Sequence, residues 1–103
     1  MIYKFGEFRV NTAKREVRRG SDIVELEPRS YELLTYLIEH RDRAISKDEL
    51  QDSVWRTIVS DSAMTRSIMK LRQSLDDSSG SIIGTVRGFG YRFVACLLYT
   101  SPS

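Results

Sequence analysis

The side chains best suited to chemistry in this chain lie between Asp61 and Leu75, in the stretch DSAMTRSIMKLRQSL. Arg66, Lys70 and Arg72 are cations, Ser62, Thr65, Ser67 and Gln73 are neutral hydrogen-bonding groups, and no acid stands between Ser62 and Leu75. Side chains of these kinds donate to phosphate oxygens and to the acceptor edges of bases. Met64, Ile68, Leu71 and Leu75 recur at steps of four, three and four, which is one apolar stripe on a helix of about 3.6 residues per turn. That stripe turns Ser62, Arg66, Met69, Lys70 and Gln73 outward, with Thr65 and Arg72 on a flank. A helix with an apolar back and such a front suits insertion into a DNA major groove. It equally suits the solvated face of a core helix, because cationic helix faces are common. The segment by itself leaves both readings open.

Catalysis has little to work with elsewhere. His40 and Cys96 are the single histidine and the single cysteine, so metal sites of the Cys/His kind and Cys–His nucleophilic pairs have almost no material. No glycine-rich phosphate loop, nucleophile elbow or carboxylate pair stands at a meaningful spacing. The chain does not read as an enzyme, and no metal, cofactor or small-molecule substrate is expected. One cysteine also rules out an intrachain disulfide, which fits a reducing cytosol. No apolar run approaches the roughly 18 residues of a membrane span. The N-terminus MIYKFGEFRV is interrupted by charge and lacks the apolar core of a secretory signal. A cytoplasmic protein is the expectation.

With 103 residues the chain is one domain with a modest core. A net charge of +2 is too small to establish a nucleic-acid partner, but its distribution helps. Residues 1–60 carry 11 Lys/Arg against 11 Asp/Glu, while residues 61–103 carry 5 against 3 and supply the whole excess. An anion-binding surface therefore belongs in the second half.

The elements that must position the helix follow in order. Ile2 to Val10 reads as a strand whose inward parity flips at Gly6-Glu7, implying a bulge or tight bend. Arg15–Arg19 and Ile23–Leu26 read as two more strands, separated by polar turns, which makes an antiparallel meander. Pro28 opens a first helix running to about His40, with Tyr31, Leu34, Leu37 and Ile38 as its buried stripe and Leu33 beside it. His40 reads as a helix-end residue. Ser46-Lys47-Asp48-Glu49 is a capping box, in which the Ser46 hydroxyl serves the Glu49 N–H and Glu49 reaches back. It starts a second helix to about Trp55, with Ile45 and Leu50 as a staple and Leu50, Val54 and Trp55 in the core. Residues 56–60 connect it to the third helix, capped by Ser60 or Asp61. Ile82–Val86 and Tyr91–Ala95 are strands of a hairpin whose tip is Arg87-Gly88-Phe89-Gly90. Ile83, Tyr91 and Phe93 point inward and Arg87 is exposed.

The fold class is therefore α+β: an N-terminal antiparallel sheet, three helices with a helix-turn-helix, and a C-terminal β-hairpin wing. The domain spans residues 1–95. Residues 96–103, CLLYTSPS, do not continue the pattern and read as a non-native or disordered tail, of vector or adapter origin.

Four stretches carry a resemblance to a known family. They are Glu27-Pro28-Arg29-Ser30-Tyr31-Glu32-Leu33-Leu34, Ile45-Ser46-Lys47-Asp48-Glu49-Leu50, Ile68-Met69-Lys70-Leu71-Arg72-Gln73-Ser74-Leu75, and Ile83-Gly84-Thr85-Val86-Arg87-Gly88-Phe89-Gly90-Tyr91-Arg92-Phe93. In this order and spacing, over roughly Tyr3 to Ala95, they resemble the winged-helix DNA-binding domain of OmpR/PhoB-type transcriptional regulators. The resemblance implies a four-stranded first sheet, of which three strands are legible and a fourth is expected near Glu25–Pro28. It implies a third helix in the major groove and a wing at the minor groove. By position, Arg66, Lys70 and Gln73 would face bases or nearby phosphates, and Ser67 and Arg72 would touch the backbone. Thr85 and Arg87 would sit at the wing, with Arg87 in or near the minor groove. Met69 departs from a residue that is often polar or basic in the family, and would meet a thymine methyl or stay exposed. The loop 56–60 resembles the family's site for RNA polymerase, and relatives bind repeated half-sites as dimers.

Such domains occur in two-component, phosphorelay regulators behind a receiver domain. Here the domain starts at Met1, as in the one-component CadC/ToxR-like arrangement, where a sensor or membrane region follows. Sequence-specific binding of double-stranded DNA for transcription regulation is the leading reading. A winged helix serving as a protein–protein interaction module is the alternative, which the lack of acids on the third helix disfavours.

Overall fold

Tyr3 and Phe5 must face the same core as Phe8 and Val10, although their parities differ, and the chain meets this by folding back. The computed structural model describes residues 2–100, with side chains described through residue 97. In it β1 (Ile2–Phe5) and β2 (Phe8–Asn11) form an antiparallel hairpin with Phe5 opposite Phe8. Gly6 takes φ 57 in the two-residue turn, a conformation that side chains with a Cβ rarely adopt. The segment expected as one bent strand is two. β3 (Glu16–Arg19) and β4 (Asp22–Val24) extend the meander. The fourth strand thus comes from dividing the first segment, not from Glu25–Pro28, where residues 25–27 carry no ladder.

α1 (Pro28–Glu39) starts on its proline and buries Tyr31, Leu33, Leu34, Leu37 and Ile38. His40 follows as its C-cap, with its ring 4.3 Å from that of Tyr36. β5 (Ile45–Ser46) is a two-residue strand that was expected only as a staple and a cap. It leads into α2 (Lys47–Leu50), where the Glu49 N–H donates to Ser46 Oγ at 3.0 Å. The return half of the expected capping box is replaced. Arg43 donates to both Glu49 oxygens, at 2.7 and 2.6 Å, and the Tyr36 hydroxyl donates to Oε2. The arginine first, then the tyrosine, lowers the Glu49 carboxyl to about 2. Ile45 and Leu50 are both fully buried, as the staple requires.

Beyond Leu50 the helix widens into a π-helical turn, Gln51–Trp55, closed by the Arg56 N–H donating to the Gln51 carbonyl at 2.7 Å. Arg56, at φ 60, ends it. Val54 is buried, whereas Trp55 is half-buried under the Arg29 guanidinium, 5.6 Å from its ring centre. α3 (Asp61–Ser74) is capped by Ser60, whose Oγ accepts from the Ala63 N–H at 3.1 Å. β6 (Ile83–Val86) and β7 (Gly90–Phe93) form the hairpin, and β5 pairs with β7 in a three-stranded sheet of order β5-β7-β6. Ile83, Tyr91 and Phe93 are buried, and the Phe93 ring meets Phe5 edge-on at 5.2 Å, joining the two sheets in one core.

β8 (Leu98–Thr100) pairs antiparallel with β1, giving the first sheet the order β4-β3-β2-β1-β8. For these three residues the expectation of disorder is corrected. β1 otherwise ends the sheet, and its free N–H and C=O groups accept an extended partner. Cys96, exposed, and Leu97, half-buried, carry no strand, and residues 101–103 lie outside the described residues.

Candidate nucleic-acid interface

The stripe of α3 is buried as its spacing requires: Met64, Ile68, Leu71 and the C-cap Leu75 are each at most 2% exposed. Ser62, Thr65, Arg66, Met69, Lys70 and Gln73 are exposed, and Ser67 and Arg72 are half-buried. Met69 leaves 53% of its surface in water amid polar neighbours. Ser62, Thr65, Arg66 and Met69 line one shallow cleft with Asp61 at the helix start; Met69, Arg72 and Gln73 line a second with Asp76, Asp77 and Ser78. Met69 therefore links the two halves of the helix face.

Two cations of the face differ in their ties. Lys70 lies 3.4 Å from Glu27, with both side chains more than half exposed. An ion pair in that setting is worth little and gives way to a better anion. Arg66 has no ion pair among the described residues, and the same holds for Arg87.

Arg72 has a different task. Its Nε and Nη2 donate to the Ile83 carbonyl at 3.0 and 2.9 Å, and Nη2 also donates to Thr85 Oγ1 at 2.7 Å. One guanidinium thus ties α3 to the first strand of the wing. Asp77 makes a second tie. Its carboxylate, 2% exposed, accepts from the backbone N–H groups of Ser81, Ile82 and Ile83 at 2.7, 3.1 and 2.8 Å, and from the Ser81 hydroxyl at 3.2 Å. Its own N–H donates to the Arg72 carbonyl at 2.8 Å. Burial pushes the Asp77 carboxyl up, but the bonds from Ile83, Ile82 and Ser81 outweigh it and hold it below its ordinary value.

Both ties escape sequence reasoning. Asp77 sits in a stretch, Asp76 to Ser81, that reads only as a polar turn. Its one signal is an Asp with Ser four residues on, ahead of a strand, the composition of a side-chain-capped loop. Arg72 carries no mark that separates it from the cations beside it.

The wing is held at its tip as well. The Phe89 N–H donates to the Val86 carbonyl at 3.0 Å, and the Phe89 carbonyl accepts from the Lys47 N–H at 3.1 Å. The latter satisfies a donor at the start of α2 that the helix itself leaves unpaired. A Cβ on Gly90 would stand 1.9 Å from the Ile45 carbonyl oxygen, so only glycine lets β5 approach β7 there. Thr85 and Arg87 are both exposed, at alternate positions of the same run. The arrangement offers a row of donors on α3 and one cation at a braced tip. In the loop 56–60, Ile58 is 88% exposed, and the Val59 N–H donates to Gln51 Oε1 at 3.0 Å. Among the described residues no helix is long and apolar enough to cross a membrane.

Residues 20–93 match the family model described as "Transcriptional regulatory protein, C terminal". The transcriptional activator CadC of Escherichia coli K12 is 35% identical over 104 residues, covering 97% of this chain and 20% of CadC. The transcriptional regulatory protein YkoG of Bacillus subtilis is 36% identical over 90 residues, covering 84% of this chain and 40% of YkoG. The chain thus spans less than half the length of these curated relatives. Among solved structures, the DNA-binding domain of E. coli CadC superposes with a TM-score of 0.81 at 33% identity, covering 96% of both chains. The DNA-binding domain of Klebsiella pneumoniae RstA, solved in complex with the RstA box, gives 0.79 at 26% identity, covering 90% of this chain and 96% of that one. A winged helix of this topology, matched over most of its length by the family model and by such relatives, belongs to the OmpR/PhoB-type DNA-binding domains of transcriptional regulators.

Proposed function

We propose that this chain binds double-stranded DNA sequence-specifically to regulate transcription, with α3 in the major groove and the β6–β7 wing at the adjoining minor groove. The observation that carries the reading is the outward face of α3, free of acids from Ser62 onward and tied to the wing through Arg72. Arg66, Lys70 and Gln73 meet base edges or nearby phosphates, and Met69 meets a thymine methyl. Ser62, Thr65 and Ser67 donate to the phosphate backbone at the groove's edge. Arg72 chiefly sets the angle between helix and wing, and its Nη1 end takes no part in the brace and is left for a phosphate. Thr85 and Arg87 serve the wing, where a narrow A/T-rich minor groove attracts the arginine.

Residues 1–95 are the unit that does this, in the cytoplasm, and residues 96–103 are foreign to it. Two copies occupy repeated half-sites, and the exposed Ile58 in the loop 56–60 is the contact for RNA polymerase. Fluorescence anisotropy on duplexes selected from a random pool tests the central claim. Affinity should fall with salt at a log–log slope of about −0.9 per phosphate neutralised. Failure of the wild-type chain to select any duplex at low salt would overturn it.

A further inference from the structure

Phe89 occupies a place on the wing that the groups assigned above do not account for. It stands between Gly88, at φ 75, and Gly90, whose backbone is pressed against Ile45. Its N–H and its carbonyl are both engaged, by Val86 and by Lys47. Nothing in such a backbone lets the residue turn away from the tip, yet its side chain is 48% exposed. A lone aromatic in water is ordinary. A rigid one at the end of a hairpin, two residues from an arginine aimed at the same partner, has a defined place to go.

We infer that Phe89 packs against the sugar wall of the DNA minor groove beside Arg87, as an apolar contact that adds affinity where the groove is narrow. The inference rests on the DNA-binding reading given above. The walls of the minor groove are deoxyribose, whose C–H surface is the apolar part of the backbone, and in narrow A/T-rich segments the two walls come closer together. A wedge that enters between base pairs and kinks the duplex is the other use of such a residue. With the residue only 48% exposed and its backbone pinned at both N–H and carbonyl, the tip does not extend the ring into the stack. Side packing therefore fits and intercalation does not.

The test uses the whole chain and the duplex that wild type recovers from a random pool. Affinity is read at several salt concentrations for wild type, Phe89→Ala, Phe89→Leu and Arg87→Ala. Phe89→Ala should bind about five- to tenfold more weakly, the loss expected for about half a phenyl surface returned to water. Its salt slope should equal that of wild type, because no charge is lost. Phe89→Leu should keep most of the affinity, and Arg87→Ala should flatten the slope by about 0.9. Thermal melts of the variants check that the fold is intact, and Phe89→Gln, which keeps the bulk but not the apolar surface and should bind as weakly as the alanine variant, decides the matter if the alanine variant is not folded. Equal affinity of wild type and Phe89→Ala overturns the inference. So does a DNA bend, read by energy transfer between labelled duplex ends, that disappears in Phe89→Ala, since that would make the ring a wedge. If wild type selects no duplex, the DNA-binding reading itself has failed.

Discussion

Arg72 on α3 donates through Nη2 to Thr85 Oγ1 at 2.7 Å, so the reading helix and the wing share one hydrogen-bonded guanidinium. A lysine retains the charge but not the planar fork that reaches both Ile83 and Thr85. Arg72→Lys is therefore expected to lose about 1–2 kcal/mol of stability, seen as a melting temperature several degrees lower. On DNA it should weaken binding while leaving the salt slope unchanged, which separates lost geometry from lost charge. An unchanged melting temperature would show that the brace carries no weight.

Gly90→Ala places a methyl group where the Ile45 carbonyl stands, 1.9 Å away. Backbone cannot yield there without breaking the β5–β7 pairing, so a loss of about 3 kcal/mol or more is expected in chemical denaturation. Gly88→Ala is the control. It meets no atom within 4 Å and bears only the strain of φ 75, about 1–2 kcal/mol. The two variants should differ clearly in denaturation midpoint.

Acid should weaken the fold through two carboxylates. Asp77 is held below its ordinary value despite burial, by the backbone donors of Ile83, Ile82 and Ser81, and Glu49 is lowered to about 2 by Arg43 and Tyr36. A group depressed in the folded state stabilises at pH above its unfolded value, about 4, and that contribution disappears as pH falls through the folded one. For Glu49 the loss falls between about pH 4 and about pH 2. Melting curves recorded down this range should show wild type converging on the double variant Asp77→Asn, Glu49→Gln. That variant should be the less stable one at neutral pH and the less sensitive one in acid.

On DNA, Arg66→Ala and Lys70→Ala should narrow the gap between selected and random duplexes, by about 1–3 kcal/mol for each base contact removed. Arg87→Ala should lose most on duplexes with an A/T-rich minor groove and least on G/C-rich ones. Competition binding with paired duplexes reads both. Equal losses on every sequence would reduce these side chains to phosphate contacts.

Removal of residues 96–103 should leave the domain folded and able to bind. β8 adds backbone pairing at one sheet edge and follows the last strand of the wing sheet. Loss of that edge should lower the melting temperature by only a few degrees and leave DNA affinity within about twofold, because α3 and the wing do not rest on it. A collapse of the fold on truncation would make the segment a native part of the first sheet.

α3 was legible because one stripe, Met64-Ile68-Leu71-Leu75, has to be buried, and its burial alone decides which residues face out. The wing was legible because Gly88 and Gly90 mark a tip and Ile83, Tyr91 and Phe93 an inner face. What stayed hidden depends on partners distant in the chain. β5 is two residues long and exists as a strand because Gly90 leaves room for it. Glu49 obeys the spacing of a capping box, yet Arg43 and Tyr36 offer it stronger bonds than the Ser46 N–H would. Arg72 and Asp77 look like a surface cation and a loop acid until the fold brings Ile83 beside both. The parity flip at Gly6-Glu7 was visible, but a bulge and a two-residue turn leave the same trace in a short run, and pairing between Phe5 and Phe8 decides between them.

The wide turn at Gln51–Trp55 has a consequence for how such a domain can vary. A π turn accommodates one residue more than an α turn over nearly the same rise. Loss of a single residue there would let α2 continue as a regular helix, while α3 keeps its seat. Gln51, which starts the turn, also holds Val59 in the following loop. The joint between the two helices therefore carries one residue of slack, which a deletion there can take up before it reaches α3.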